Sequence, residues 1–430
     1  MFHLGWFMGL GFGVYGWNQM WSGNVPADVG RPELFIDAAR SLERAGFDYI
    51  MLEDSSVLPD VYGGDFAHSV KTGIIRFDPI PLVPLLTRAT KSIGVIATIN
   101  TTFYPPFLAA RIMSSLDHIT RGRVGINLVT GSPHAAAQNY GLDKLPEHDL
   151  RYDMAADWMR AVRALWDSWD DDALVADENT GVYVRGGSVR PVHYEGRYYR
   201  TRGPLNTLPG PQRHPVVCQA GGSSAGRDLA AEHADTVVSA VVGVEAMKAF
   251  RDDMHNRVKR FGRDPAELKI LFLIDPVLAD TDEAAREIAK SRHNLDESGL
   301  ADALAGMSYL SGVDFSKYDL DQPLPDFESN GHQSTVADFK RASQGKTLRE
   351  LVNSRRVSES VDLVGTPESV AGQMEAAMSF AGGDGFLIAS PVTRRNVTLI
   401  ADGLCPALAR RGLIRSSYSE STLRSNLTAF

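Results

Sequence analysis

Short β-rich runs alternate with helix-length amphipathic segments along most of this chain, and this alternation restricts its fold more than any other sequence feature. In the first cycle, residues 32–45 repeat apolar side chains at helical spacing, Gly46 ends the helix, and a strand follows at 49–52. Parallel strands joined by crossover helices produce this pattern, and eight such cycles predict an α/β fold, a closed (β/α)8 TIM barrel. The predicted strands are 2–8, 49–52, 93–98, 124–129, 216–219, 236–240, 269–276 and 385–388.

Two long segments do not follow the cycle. Residues 170–213 are rich in Gly, Pro, Tyr and Arg, and residues 294–352 include the stretch YDLDQPLPDFESNGHQST. Long irregular segments in a compact domain are usually functional lids or excursions. A chain of 430 residues is long for one domain, but barrels of this type often reach such lengths. We therefore expect residues 1–430 to form a single barrel domain, with both segments as insertions over its C-terminal face.

Composition excludes several functional classes. Lys and Arg total 44 against 53 Asp and Glu, and the formal net charge of −9 disfavours a nucleic-acid partner. The two cysteines are too few for a disulfide framework and favour a reducing, cytoplasmic location. No apolar run approaches about 18 residues and no signal peptide is recognised, so no membrane association is expected. The histidines lack the spacing of zinc motifs, so no metal site is expected.

Residues 11–16 spell G-x-G-x-x-G directly after the first predicted strand, where a dinucleotide-binding fingerprint would lie. In that fingerprint a helix begins at once, so that its N-terminal amides meet the pyrophosphate. Residues 17–30 are instead aromatic and broken by Gly and Pro. The motif is therefore interpreted as an aromatic-lined loop at the C-terminal end of the first strand.

Residues 222–226 spell G-x-S-x-G between a predicted strand and a predicted helix, and two interpretations fit. In a serine hydrolase, Ser224 would be the nucleophile, with Asp275 and His332 downstream as its partners. Alternatively, the turn opens a helix whose free N–H groups and serine hydroxyls hold a phosphate, with Arg227 in the first helical turn. The barrel pattern favours the phosphate site, and the hydrolase remains an alternative.

Polar side chains follow the predicted strands at the end of the barrel where function gathers. These residues are Asp54, Thr98, Asn100, Asn127, Thr130, Gln219 and the turn from Gly221 to Ser224. Amides and hydroxyls outnumber acids and bases among them, which suits orientation of a flat, hydrogen-bonding cofactor better than acid–base catalysis. Beyond the fourth strand, His148, Arg151 and Tyr152 are spaced to face one way as a helix begins.

Six segments, in their order along the chain, resemble one protein family. They are residues 41–55 (SLERAGFDYIMLEDS), 93–131, 139–174, 193–235, 364–378 (VGTPESVAGQMEAAM) and 410–427. They are similar to the bacterial luciferase-like, FMN-dependent monooxygenases, in the branch of nitrilotriacetate monooxygenase, the pristinamycin synthase large subunit and dibenzothiophene sulfone monooxygenase. The resemblance covers nearly the whole chain, and the family fold is a (β/α)8 barrel with insertions.

The resemblance implies FMN, used as FMNH2, with O2 as cosubstrate. It further implies a separate NAD(P)H:flavin reductase, a small organic substrate in which a C–S, C–N or C–halogen bond is cleaved, and a homodimer or homotetramer. By matching position it assigns flavin binding to Asp54, Thr98, His148, Tyr152 and Ser223, with Ser223 and Ser224 at the phosphate. It also implies that Asn127 lies near flavin N5, and the expected cofactor-binding residues further include Arg151 and Gly222. Of these, Asn127 and Thr98 are the expected catalytic positions, and the turn at 222–224 with Arg151 is the expected phosphate site.

Residues 9–24 and 61–81 depart from the relatives, and we expect them to line the substrate side of the site. Ile126 stands where relatives often have a tryptophan. Two further alternatives keep the fold: a deazaflavin-dependent oxidoreductase that transfers hydride, and a flavin store without enzymatic activity. The two are distinguished from a monooxygenase by oxygen dependence and by product formation.

Overall fold

A computed structural model describes residues 1–292, 294–329, 331, 333–354 and 360–430. Eight strands form a closed barrel in which each strand pairs with its neighbours along the chain, and the last pairs with the first. They are β1 (His3–Met8), β2 (Tyr49–Leu52), β3 (Gly94–Asn100), β4 (Val124–Val129), β5 (Val216–Gln219), β6 (Thr236–Ser239), β7 (Lys269–Ile274) and β8 (Gly385–Ile388).

Closure occurs where β1 meets β8, with Gly5 opposite Leu387 in parallel register. All eight predicted strands are confirmed, with ends that move by at most two residues. Buried Val, Ile and Leu dominate these strands because helices cover the outside of the sheet and side chains fill its inside.

Sixteen helices are described within these residues, and most of them surround the barrel. They are α1 (Glu33–Arg44), α2 (Ala67–Thr72), α3 (Leu82–Ala89), α4 (Pro106–Thr120), α5 (His134–Asn139), α6 (His148–Trp166), α7 (Ser224–His233), α8 (Val244–Arg260), α9 (Asp282–Arg292), α10 (Glu297–Ser311), α11 (Gln333–Ala342), α12 (Leu348–Ser354), α13 (Pro367–Ala381), α14 (Arg394–Thr398), α15 (Cys405–Arg410) and α16 (Leu423–Leu427). A π-helical segment, Leu399–Leu404, joins α14 to α15. Among the described residues, no helix combines the length and the apolar character needed to cross a bilayer.

The amino end of the barrel is closed by α16. Leu423 and Leu427 belong to the apolar cluster inside the barrel, together with Tyr49, Met51, Ile96, Val216, Cys218, Val238, Leu271 and Leu387. A Cβ atom on Gly94 would lie 2.5 Å from Leu423 Cδ1, so glycine at this strand position admits the leucine. The opposite, C-terminal end of the barrel is therefore the end at which a cavity can form.

The two long segments lie in different places. Of the two segments expected over the C-terminal face, 170–213 contributes no residue to the cavity there. Asp157 of α6 accepts hydrogen bonds from the Tyr194 hydroxyl at 2.5 Å and from the Tyr198 N–H at 2.7 Å. Gln212 donates to Asp117 of α4 at 2.7 Å. These bonds hold the segment along the flank of the barrel, beside α4 and α6.

The second segment, 294–352, does lie at the mouth, and much of it is helical rather than irregular. Its helices α10 to α12 enclose a small hydrophobic cluster of their own, which includes Leu304, Phe315 and Phe339. The segment is tied to the barrel by a hydrogen bond of 2.6 Å from the Tyr309 hydroxyl to Ser55 Oγ. A separate apolar cluster explains how an insertion can be ordered without extending the barrel core.

Substitution Leu423→Ala tests the role of α16. Leu423 is fully buried, so we expect the free energy of unfolding to fall by about 3 kcal/mol, from lost burial and the cavity left behind. Leu108→Ala is the matched control: the α4 side chain is 45% exposed, so its cost is expected to stay below about 1 kcal/mol. Urea denaturation of both variants measures the free energy of unfolding. Equal losses in the two variants would contradict the role of α16 in closing the amino end of the barrel.

Candidate active site

A cavity of about 540 Å³ opens at the C-terminal ends of the strands. Its floor is apolar and comes from the barrel interior, with Phe7, Met51, Val238, Leu273 and Leu387 among the lining residues. The polar groups of its walls come from strand ends and from the segments that follow them. An apolar pocket with a few convergent polar groups is the usual form of a cofactor or substrate site.

Three polar groups on neighbouring strands form a chain of hydrogen bonds at the cavity wall. Thr98 Oγ1 donates to the Leu52 carbonyl at 2.7 Å, and Asn127 Nδ2 donates to Thr98 Oγ1 at 2.9 Å. This chain fixes the orientation of the Asn127 amide and leaves its Oδ1 atom buried, without a partner among the described residues. A cavity-lining acceptor in this state suits a ligand that presents an N–H group.

Arg151, at the start of α6, is a buried cation on the same cavity. Nη1 donates to the Pro146 carbonyl at 2.6 Å, whereas Nε is buried without a partner. Within the described ranges, no carboxylate lies within salt-bridge distance of this guanidinium, and burial lowers its pKa. An unneutralised buried cation is costly, so the site suits an anionic ligand.

The N-terminus of α7 faces this cavity through Gly222 and Ser223. Ser223 caps the helix, since its Oγ accepts the Gly226 N–H at 3.1 Å. A Cβ atom on Gly221 would lie 3.0 Å from Gly226 Cα, so glycine is needed for this tight turn. Burial raises the pKa of Tyr152, and hydrogen bonds with Ser223 and Thr130 oppose this shift. The free N–H groups and dipole of a helix N-terminus favour an anion here, on the same cavity as Arg151.

Two residues of the predicted phosphate site point elsewhere. Ser224 is exposed and does not line the cavity, and its Oγ accepts from Arg257 Nη1 of α8 at 3.2 Å. Arg227 pairs with Asp253 at 3.0 Å, also on α8. Successive helical residues are rotated by about 100°, so the residues that follow the Ser223 cap turn away from the cavity. The cofactor role expected of Ser224 therefore has no geometric support here.

The hydrolase alternative gains no support from this geometry. The Ser224 hydroxyl oxygen accepts a hydrogen bond from Arg257, and Asp275 accepts a hydrogen bond from Ser390. His332, the base that this alternative requires, lies outside the described residues.

Within the described ranges, no group of three or more His, Cys, Asp or Glu side chains is arranged to hold a metal ion.

His148 and Asp54 line the cavity as well. The His148 ring lies 4.9 Å from the Tyr152 ring, and its Nδ1 lies 2.7 Å from Asp149 Oδ1. Burial and the nearby Asp78 raise the pKa of Asp54 to about 6. With the exception of Ser224, the predicted cofactor residues therefore lie around one cavity.

A partly buried ion pair on the cavity wall was not predicted from the sequence. Arg76 Nη1 lies 2.6 and 2.5 Å from the two carboxylate oxygens of Glu53. Burial raises the pKa of Glu53 to about 7, although Arg76 opposes this shift. Tyr309 of α10 also lines the cavity. Two sequence features could have indicated this pair. Glu53 directly precedes Asp54 at a strand end, and Arg76 falls in the divergent segment 61–81.

The sequence of this chain matches one protein family over most of its length. The profile described as "Luciferase-like monooxygenase" matches residues 15–384. N-acetyl-S-(2-succino)cysteine monooxygenase of Bacillus subtilis is 33% identical over 97% of this chain and 93% of its own length. Dimethyl-sulfide monooxygenase of Hyphomicrobium sulfonivorans is 34% identical over 92% of this chain and 83% of its own. Nitrilotriacetate monooxygenase component A of Aminobacter aminovorans is 33% identical over 92% and 89%.

Solved structures agree with these matches. The crystal structure of DmoA from Hyphomicrobium sulfonivorans superposes with a TM-score of 0.88 at 31% identity, covering 100% of this chain and 92% of that one. A riboflavin lyase solved with modified FMN and riboflavin superposes with the same TM-score of 0.88 at 28% identity, covering 100% and 96%. The resemblance drawn from the sequence and the predicted barrel are confirmed.

The pKa of Glu53 predicts a pH dependence of stability. Its pKa in the folded protein, about 7, lies above the ordinary 4.5, so the folded state binds more protons than the unfolded state between these values. The free energy of unfolding of the wild type, relative to Glu53→Gln, should therefore fall as pH rises from 4.5 to 7. The slope can reach at most about 1.4 kcal/mol per pH unit.

Urea denaturation at several pH values measures this difference. Glu267→Gln removes one exposed carboxylate and serves as the control. A difference that rises with pH, or one shared by the control, would contradict the raised pKa.

Proposed function

The chain belongs to the luciferase-like monooxygenase family, and on this premise we propose that it oxidises a small organic substrate with O2 and reduced FMN. One observation carries the proposal. The same cavity presents a buried, unneutralised cation, Arg151, and a buried, unpaired acceptor, Asn127 Oδ1. FMN carries a phosphate anion and a flat ring with N–H donors, so it satisfies both groups.

The phosphate would be held by Arg151 and by the N-terminus of α7. Charge-assisted hydrogen bonds from a guanidinium and from helix N–H groups are the strong kind for a phosphate. Ser223 and Tyr152 line the same part of the cavity and offer hydroxyl donors. Ser224 plays no part in this proposal, because its hydroxyl is directed to Arg257.

The ring would lie against the strand ends. Asn127, fixed in orientation by Thr98, would accept a ring N–H, and Asp54 and His148 supply further polar contacts on the wall. When bound, reduced flavin supplies the electrons that activate O2. The protein groups here bind and orient, since amides and hydroxyls predominate among them.

The second insertion would exclude water from the reaction. Asp302, Gly306 and Tyr309 of α10 line the cavity, and Tyr309 is bonded to Ser55 at a strand end. Water exclusion strengthens the electrostatic interactions inside a site and prevents side reactions. The segment 170–213 has no such role, because it lies on the flank of the barrel.

The substrate proposed is a small molecule in which a carbon–heteroatom bond is cleaved. Among the relatives at about 33% identity, one is named for dimethyl sulfide and another for nitrilotriacetate, so C–S and C–N bonds fit better than C–halogen. The name "component A" supports a second component, which we take to be an NAD(P)H:flavin reductase. A homodimer or homotetramer and a cytoplasmic location complete the proposal. Both cysteines are unpaired, in keeping with a reducing compartment.

Turnover with labelled oxygen tests this function. Purified protein, a flavin reductase, NADH, FMN and dimethyl sulfide or a related thioether are incubated under 18O2. We expect substrate-dependent consumption of O2, with one 18O atom in the oxidised product and the other in water. Product formed without O2 would favour the deazaflavin alternative, and product formed without flavin would overturn the proposal.

Arg151→Gln tests the phosphate site separately from turnover. Loss of a charge-assisted contact worth about 1.5–3 kcal/mol should raise the Kd for reduced FMN roughly 10- to 150-fold. Riboflavin lacks the phosphate, so its affinity should change far less. Ser224→Ala is the control and should leave both affinities unchanged. Anaerobic calorimetry provides the values, and equal weakening for FMN and riboflavin would contradict a phosphate at Arg151.

A further inference from the structure

The ion pair between Glu53 and Arg76 is not needed to hold a flavin, yet it forms part of the cavity wall. Arg76 lies in the divergent segment 61–81, which pairs with the other divergent segment where Phe12–Gly13 meets Arg76–Phe77. The two parts of the sequence that depart from the relatives therefore meet beside this guanidinium. Differences in substrate are expected to be encoded there.

The glycines of the G-x-G-x-x-G motif build this wall. A Cβ atom on Gly11 would lie 2.0 Å from the Glu53 carbonyl oxygen, and Gly11 has a positive φ of 52°. A Cβ atom on Gly13 would lie 2.6 Å from the Ile75 carbonyl oxygen. Both positions require glycine, so that the N-terminal loop can pass directly over Glu53 and the strand of Arg76. The glycines of the motif thus serve the close packing of this loop, and this role involves no dinucleotide binding.

The guanidinium of Arg76 is only partly used by Glu53. Both carboxylate contacts are made by a single nitrogen, Nη1. Among the hydrogen bonds of the described residues, none uses Nε or Nη2 of Arg76. Those two nitrogens form the planar pair of donors that matches a carboxylate in bidentate geometry. The side chain is 9% exposed and lines the cavity, so the open edge is sheltered from bulk water.

We propose that Arg76 binds a carboxylate of the substrate through Nε and Nη2, which makes the substrate a small organic acid. This inference rests on the proposed function, because it takes the cavity to be the site of oxidation. It also gives Glu53 a role: Glu53 holds the guanidinium in place when the substrate is absent. The specificity for an anion is then set by one residue outside the cofactor site.

The charges around Arg76 define the pH dependence of this binding. Glu53 and Asp54 are acids near the guanidinium, Asp78 lies near Asp54, and the hydroxyls of Tyr15 and Tyr309 also interact with this group. A second anion on Arg76 would compete with ionised Glu53. Because burial has already raised the pKa of Glu53 to about 7, substrate binding should take up a proton on Glu53 above that pH. The affinity for an acid should therefore fall as pH rises above 7.

Three matched probes test the inference: (methylthio)acetate, its methyl ester, and 2-(methylthio)ethylamine. Calorimetry measures their binding to the full chain in the presence of reduced FMN, and oxygen is excluded so that no turnover occurs. We expect the wild type to bind the acid roughly tenfold more tightly than the ester. Preference for the amine would mean that the acids, rather than Arg76, select the substrate, and it would overturn the inference.

Variants separate recognition from folding. Arg76→Gln should abolish the preference for the acid, and Arg76→Lys should recover only part of it, since lysine keeps the charge but not the paired donors. Glu53→Gln keeps a polar side chain and should bind the acid more tightly than the wild type does. It should also remove the loss of affinity above pH 7, which approaches roughly tenfold per pH unit in the wild type. Arg160→Gln, at a surface pair with Glu232, is the control and should change nothing.

The outcome distinguishes this inference from the proposed function. Affinity for FMN is measured on each variant, and Arg76→Gln should retain it. If FMN binds but the wild type binds the acid no more tightly than the ester, including the case in which neither binds, the role of Arg76 is refuted and the proposed function stands. If FMN does not bind the wild type, the proposed function itself fails.

Discussion

Closure of the parallel sheet between β1 and β8 is the constraint on which the site depends. The hydrogen bonds at this junction turn an open sheet into a ring, so that eight strand ends meet around one opening. Within the ring, β3 pairs with β4, so Thr98 and Asn127, which lie 29 residues apart in the chain, become neighbours with a 2.9 Å hydrogen bond. The helix α16 fills the amino end, and the cavity therefore forms at the carboxyl end.

Among the described residues that line the cavity, two side chains have a buried polar atom without a partner. Arg151 has no carboxylate partner in the described part of the chain, and Asn127 Oδ1 has no donor there. Such groups cost stability unless a ligand completes them. A ligand that binds only the folded state returns this cost as stabilisation. Binding of the proposed cofactor to Arg151 and Asn127 should therefore stabilise the folded protein. The pair Glu53–Arg76 is not used by the cofactor in this proposal and is assigned to the substrate.

The strand pattern was predictable because buried parallel strands and amphipathic helices each have a period that appears in the sequence. The site was predictable in outline, since residues at strand ends of a barrel share one face. The orientation of Ser224 and Arg227 was not, because it depends on the rotation of α7 against Asp253 and Arg257 of α8. The position of 170–213 was missed because its anchors, Asp157 and Asp117, lie on distant helices and leave no periodic signal.

A crystal structure of the protein with reduced FMN, obtained under anaerobic conditions, would show directly whether the cavity holds the flavin as proposed. We expect the phosphate within hydrogen-bond distance of the Arg151 guanidinium and the N-terminus of α7, and a ring N–H facing Asn127 Oδ1. A flavin bound elsewhere, or a phosphate held by Ser224 and Arg227 instead, would contradict it.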